Sequence, residues 1–530
     1  SIVDAELRAA KARGDIKAME EFGKMSRGKN DMLWHLLAEV DGTTRIPGNV
    51  TAAHVSSTIR NIQNMAKLGM ATLSSITDIP NQVAELKYQG INRFKGYSIA
   101  LENLFKGRGM KKSDRRAVAQ MLGVGMDGII GNTISRFSSD DLTPGMFAKA
   151  QQAYFKLNLL SPWTDSHRVG SSLMMSRHLA MQADRTFEKL DPHTKRILEI
   201  YDMGKLEWEN VISKAIYKGK DGQKYIVTDM IENLDDATIL SYLKQKEPLI
   251  KKHSKSKINR ERDRLVSSLA AYYIDRADFA VPMPSAYERA FMNRGTQDGT
   301  ALGVAARLFW QFKSFPVTVL HKSLGREIYG HGASSFKEGL LKGKASYTGM
   351  AHFIVSTSLL GYLSLYLKDI ARGKEPRQFN DDLGHNIKII SAAMAQGGGL
   401  GLYGDFLFGS YNKYGGTALA TLMGPTIGQF DSVVQILQAI RTGDDPFAKL
   451  ANLVQGNTPF INLFYLRMAL DYLILYNIKE WQNPGYLKRM ERRLKKEHDQ
   501  GFYIPPSRVI RRGGDNPINI IEKMISEMNR

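Results

Sequence analysis

The stretch TAAHVSSTIRNIQNMAKL, residues 51–68, decides the fold class. Val55, Ile59, Ile62, Met65 and Leu68 recur every three or four residues, which is the repeat of one helix face. Thr51 stands where an N-cap belongs, and Pro80 marks the next expected break. Working outward, residues 4–13 and 15–39 carry the same period, with Met32, Leu33, Leu36 and Leu37 on one stripe. Between the periodic stretches, the small-residue run LGMATLSSITD (68–78) leaves room for close backbone packing. Further helices are expected over 82–105, 112–121 and 144–160. The single β signal is AIY (215–217) and YIV (225–227) around Asp221-Gly222, a hairpin turn pair. Helical pattern resumes at Asp229 and runs, with breaks, to Asp278. The expected fold is therefore mainly α, an elongated multi-helix assembly with one minor β-hairpin.

Composition narrows the chemistry. The 530 residues hold 73 Lys+Arg against 53 Asp+Glu, a net charge of +20, with 47 glycines and no cysteine. The absence of thiols excludes disulfides, thiolate zinc sites, iron–sulfur clusters and cysteine nucleophiles. The basic excess favours phosphate or anionic lipid as a partner, or simply keeps the protein soluble. Ser1 opens directly onto an amphipathic stretch without a secretory signal, so a trimmed initiator Met or a longer parent polypeptide is expected.

VPMP at 281–284 is the clearest linker candidate. It divides a helical region (1–280, hairpin near 215–228) from a linker with amphipathic helices (281–344). An apolar, glycine-rich region (345–480) and a basic C-terminal tail (481–530) follow. Residues 345–367 contain no Asp, Glu, Lys or Arg; as a helix they would reach about 34 Å, enough to cross a hydrocarbon layer. Ser346, Thr357 and Ser364 fall on nearly one line there, so another helix could approach that face. Residues 389–404, 414–430 and 461–478 are likewise poor in charge. Two readings stand for this region: buried core helices, or a module that enters lipid conditionally with Phe353, Ile354, Leu359, Leu360 and Leu363 facing the membrane.

No active site emerges. GLGLYG (399–404) matches the dinucleotide-binding pattern, but no strand precedes it and no βαβ alternation surrounds it. The eleven His are dispersed, without the spacing of a metal site. Asp165-Ser166-His167 is contiguous, unlike a spatially assembled triad, and reads as a helix N-terminus capped by Asp165 or Ser166. No cofactor, metal or catalytic residue is expected.

Two basic runs remain. Residues 244–264 hold nine Lys or Arg against three acids, including Lys251, Lys252 and Lys255. Residues 488–496 pack Lys488, Arg489, Arg492, Arg493, Lys495 and Lys496 around Glu491, which could support Lys495 at i+4. Leu487, Met490 and Leu494 make a narrow apolar stripe beneath these charges. Each run is a solvated face or a contact for DNA phosphate or lipid headgroups.

Four stretches together resemble the C-terminal region of large internal virion, or ejection, proteins of short-tailed DNA bacteriophages. They are LFWQFKSFP (308–316), NPGYLKRMERR (483–493), GMATLSSITD (69–78) and WTDSHR (163–168). In that family a lytic transglycosylase domain often precedes this region; none is recognisable here, so no enzymatic role is expected of these residues. The resemblance implies a protein stored in the capsid above the portal and expelled into the host envelope. There it would help build a conduit for the genome across periplasm and inner membrane. Implied partners are further copies in a ring, other internal virion proteins and the portal, genomic DNA, and the host membrane. A soluble DNA-binding or scaffold protein and a peptidoglycan hydrolase with unrecognised carboxylates are the alternatives.

Overall fold

Asn49 starts the first long helix. Its side-chain oxygen accepts from the Ala52 amide at 2.9 Å, so α2 (Val50–Lys67) is capped two residues before the expected Thr51. The computed structural model describes residues 32–104, 112–122, 146–397 apart from 251 and 334, and 462–514, with single positions at 436, 438, 441, 442, 453, 457, 458, 460 and 526. The helix expected over 4–13 and the glycine-rich segments 399–404 and 414–430 lie outside the described residues.

Before α2 comes α1 (Met32–Val40). After it, short 3-10 and α turns over 68–77 lead into α3 (Asp78–Tyr88). Pro80 does not end a helix; it sits in the first turn of α3, where a missing amide costs little. The helix expected over 82–105 is split instead at Gly90, whose φ of +92° suits glycine, and α4 (Arg93–Leu104) begins afresh. α5 (Lys112–Met121) and α6 (Met146–Leu157) follow. The chain then reverses through Leu159 at φ +65° into α7 (Leu160–Ala180). Asp165 and Ser166 therefore lie inside a helix and cap nothing; the Asn158 side chain serves the helix start, accepting from Leu160 N at 3.0 Å.

α8 (Pro192–Ile200) and α9 (Lys205–Asn210) precede the hairpin of β1 (Ile216–Lys218) and β2 (Lys224–Ile226). Its register pairs Tyr217 with Tyr225, and Gly222 takes φ +76° in the turn, as expected of Asp-Gly. α10 (Thr228–Glu232), α11 (Asp236–Lys246) and α12 (Lys255–Ala280) complete the largest core. Trp208, Leu243, Leu265, Leu269 and Tyr273 are fully buried there. The Ile226 carbonyl accepts from Ser176 of α7 and Tyr273 of α12, each at 2.7 Å, which locks the hairpin onto both long helices.

α3 is the axle of the molecule. Every residue of it except Lys87 is buried, polar Asp78, Asn81, Gln82 and Glu85 included. Such a helix survives only if its polar groups are satisfied. Gln82 donates to Ser171 at 2.8 Å, and Asn81 accepts from Ser323 at 2.6 Å. Glu85 takes Arg276 at 2.6 and 2.7 Å and Arg326 at 2.9 Å, tying α12 to a much later helix.

The four residues read as a linker, Val281 to Pro284, are all buried. They form a packed corner into α13 (Ala286–Asn293) rather than an exposed joint. α14 (Ala301–Trp310) and α15 (Ser314–Thr318) follow, and a π-helical turn Val319–Leu324 leads to α16 (Gly325–Tyr329). After α17 (Phe336–Leu341) come α18 (Tyr347–Ala371) and α19 (Leu383–Gly397), an antiparallel helical hairpin. The last described elements are α20 (Arg467–Leu470), a π turn Asp471–Leu475, α21 (Tyr476–Gln482), α22 (Tyr486–His498) and α23 (Pro506–Val509). Residues 462–464 lie against the small-residue run: a Cβ on Gly69 would fall 2.0 Å from the Asn462 carbonyl oxygen. Close packing at that run is borne out, as is the mainly α fold with its single described hairpin.

Candidate membrane-contact surface

α18 is 25 residues long, about 37 Å, and is the one described helix long and apolar enough to cross a membrane. Its two sides differ sharply. Gly349, Phe353, Thr357, Gly361, Ser364 and Lys368 are buried. Ile354, Val355, Leu359, Leu363 and Ile370 are exposed, Leu359 to 66%. On α19, Leu383, Ile387, Ile390 and Met394 are exposed too, so both helices of the hairpin carry uncovered apolar side chains. Apolar surface of this extent, repeated at helical spacing, marks an interaction surface more than scattered single residues do.

The hairpin seam explains which side faces out. Small residues let the backbones meet: a Cβ on Gly397 would lie 1.7 Å from the Thr357 carbonyl oxygen, and one on Gly361 would lie 2.1 Å from that of Ala393. The face anticipated from Thr357 and Ser364 is thus the packed one. Gly397→Ala should destabilise the fold by about 1–3 kcal/mol through forced separation of the helices, measurable as a lowered thermal midpoint. An unchanged midpoint would mean the seam is slack.

Phe353 requires a correction. It is 1% exposed and packs with Ala84, Phe315 and Val319, so it faces the core and not a membrane. Leu360 is half-buried against Ile79, Val83 and Ala100. Ile354, Leu359 and Leu363 are exposed as expected. The burial of Phe353 was legible, since it stands four residues before Thr357 and must share its face, whereas Val355 and Ile370 on α18 and the exposed α19 residues were missed.

Charges at the far end of α18 are turned inward and paired. Lys368 donates to Gln396 of α19 at 3.1 Å, and Asp369 accepts from Arg377 at 3.1 Å and Gln500 at 2.9 Å. Gln500 belongs to the segment after α22, so the C-terminal unit is docked here. A β-bridge between Lys374 and Phe502 and a 3.3 Å bond from Asn380 to Asp499 extend that joint. The tail read at 481–530 is, over its described part, a folded unit around Tyr476, Leu487, Leu494, Phe502 and Ile510.

Within that unit α22 presents the second basic run. Glu480 caps the helix, accepting from the amides of Gly485 at 2.6 Å and Leu487 at 2.9 Å. Leu487 and Leu494 point inward, while Lys488, Arg489, Arg492, Arg493, Lys495 and Lys496 are all exposed. Glu491 does not support Lys495; it accepts from Ser507 N and Oγ at 2.8 and 2.7 Å, and Lys495 pairs with Asp499 at 2.7 Å. Arg493 pairs with Glu497 at 2.8 Å, and Arg489 donates to Asn483 and Pro484. Lys488, Arg492 and Lys496 have no partner among the described residues.

Four of the nine cations of the first basic run are paired in the fold among the described residues. Lys246 and Arg264 bracket Glu261 at 2.6 and 2.7 Å, Lys257 meets Glu247 at 2.8 Å, and Arg262 meets Asp236 at 2.5 Å. Burial would raise the Glu261 carboxyl, but the hydrogen bonds from Lys246 and Arg264 outweigh it and hold the group down to about 2. Lys252 and Lys255 are exposed; Lys251 lies outside the described residues. No protein-family model, curated protein or solved structure matches this chain.

Proposed function

We propose that this chain is a structural protein of the bacteriophage ejection type, carried in the virion and delivered into the host envelope to help form a conduit for DNA. The observation that carries the reading is the α18–α19 hairpin with its exposed apolar side chains, docked at its charged end against the segment that follows the basic helix α22. Exposed apolar side chains and unpaired cations both suit an anionic bilayer: the first gain by burial in the interface, the second by attraction to headgroups. The four stretches that resemble ejection proteins support the same role. Because Phe353 and the Thr357 face are committed to the core, contact begins with the outer side of the hairpin; a full crossing would require α18 to leave α3. Assembly into a closed ring of head-to-tail copies around the DNA belongs to this proposal, with other internal virion proteins and the portal as neighbours.

Vesicle flotation tests the lipid contact. The chain should float with phosphatidylglycerol-containing vesicles and much less with phosphatidylcholine alone. Replacing Lys488, Arg492 and Lys496 with Gln should weaken binding by about 3 kcal/mol at roughly 1 kcal/mol per cation. Failure to float on either lipid would sink the membrane role. Native mass spectrometry showing only monomer in the reconstituted complex would remove the ring, and clearing on a peptidoglycan zymogram would make the chain an enzyme.

The three unpaired cations of α22 also favour a second reading, sequence-indifferent DNA contact. In that case the triple Gln variant should flatten the log–log salt dependence of duplex binding by about 2.7 units, at about 0.9 per phosphate contact.

A further inference from the structure

A pocket of about 90 Å³ opens where α3, α4, α8, α16 and the start of α18 meet. Its chemistry is set by Lys87, Arg93, His193, His331, His352 and one acid, Glu327. We propose that this pocket binds a tetrahedral oxyanion of the sulfate or phosphate class.

The charge balance is the first argument. Glu327 is already committed, its Oε1 held by Arg326 Nε at 3.1 Å. Asp191, the nearest other acid of α8, caps that helix through the His193 amide at 2.8 Å. Lys87 stands exposed at the mouth. Arg93 makes only a long 3.4 Å bond to the Thr348 carbonyl, and its buried Nε has no hydrogen-bond partner. Arg196 lies behind the histidines over the Tyr88 ring, 4.2 Å from its centroid, and its buried Nε is also without a partner. Two cations, Lys87 and Arg93, thus line a cavity whose single acid is paired with Arg326, and Arg196 adds positive charge from behind its histidines. Buried donors left unmade are costly, and an anion is the group that would satisfy them.

The histidines supply matching donors. Arg196 nitrogens lie 3.4 Å from Nδ1 of both His193 and His331. A guanidinium can only donate, so each Nδ1 is the acceptor and each Nε2 carries the proton. Burial, then Arg196, holds both imidazoles below their ordinary range, which favours their neutral form near pH 7. His352 is anchored by Tyr97 at 3.0 Å. The first turn of α18 adds the positive end of a 25-residue helix dipole; Gly349 N is already taken by Ser346 Oγ, so this end contributes field and not a donor. The volume holds a tetrahedral ion with water and is too small for a nucleoside, so any larger ligand would present only its phosphoryl end.

An entering dianion would favour imidazolium, so binding takes up protons and tightens as pH falls. Sulfate is the clean probe, because its own charge is constant between pH 6 and 8. Titration calorimetry of the full chain with sodium sulfate, ionic strength held with chloride, should show saturable binding several-fold tighter at pH 6 than at pH 8. Arg93→Gln should weaken it by about tenfold or more, and Lys87→Gln, at an exposed site that folding does not need, by a smaller factor. The triple Gln variant of α22 should bind sulfate as the parent does. If the source is a lipid headgroup, Lys87→Gln should also weaken flotation on phosphatidic acid vesicles; if it is the free ion, only the sulfate titration changes. Absent binding, binding indifferent to both pocket variants, or loss in the α22 variant overturns the proposal.

Discussion

Glu85→Ala is expected to destabilise the fold by about 3–5 kcal/mol, the largest effect of any single polar substitution considered. Glu85 is fully buried, and its removal leaves Arg276 a buried cation without its anion and Arg326 with Glu327 alone. Burial by itself would raise its pKa, but Arg276, then Arg326, and the hydrogen bonds from Arg276 and Gln89 overcome this and leave it lowered. A lowered carboxylate pKa stabilises the fold above the unfolded value of about 4.5, and that stability is lost as pH falls through the folded value. Denaturant titrations should therefore show the parent losing stability in acid, with Glu85→Gln already weakened at pH 7 and flatter below pH 4.5. Glu85→Ala costing under about 1 kcal/mol would mean the three charges are not coupled as the geometry requires.

Phe353→Gln and Leu359→Gln, six residues apart on one helix, should behave oppositely. Phe353 is 1% exposed, so its replacement opens a cavity and buries an amide without partners, costing about 3–5 kcal/mol of stability. Leu359 is 66% exposed, so its replacement should leave stability within about 0.5 kcal/mol. On vesicles the order reverses: Leu359→Gln, strengthened by Leu363→Gln, should weaken partition by about 1.5–3 kcal/mol per side chain if both reach the interface. Flotation unchanged in the Leu359 and Leu363 double variant would assign the exposed face to a protein neighbour instead.

What the sequence determined by itself was local. Helical periodicity placed α2, α5 and α6 to within a few residues, and Asp221-Gly222 placed the hairpin, because backbone hydrogen bonds and turn geometry are satisfied between near neighbours. The closeness implied by Gly69 and by Thr357 and Ser364 was also readable, since small side chains leave space whichever partner fills it. The partners were not readable. That α3 would be buried on every side, that Glu85 would bridge helices 191 and 241 residues further along the chain, and that His193, His331 and His352 would share a pocket all depend on contacts between segments remote in sequence. The two basic runs make the contrast plainest. By composition they look alike, yet only the fold decides which cations are paired: in the first, Lys246, Lys257, Arg262 and Arg264 meet Glu207, Glu247, Glu261 and Asp236 while Lys244, Lys252, Lys255 and Arg260 stay exposed, and in the second Lys488, Arg492 and Lys496 face solvent. Charge belongs to the residue, but whether it is neutralised depends on distance, and only the fold sets distance.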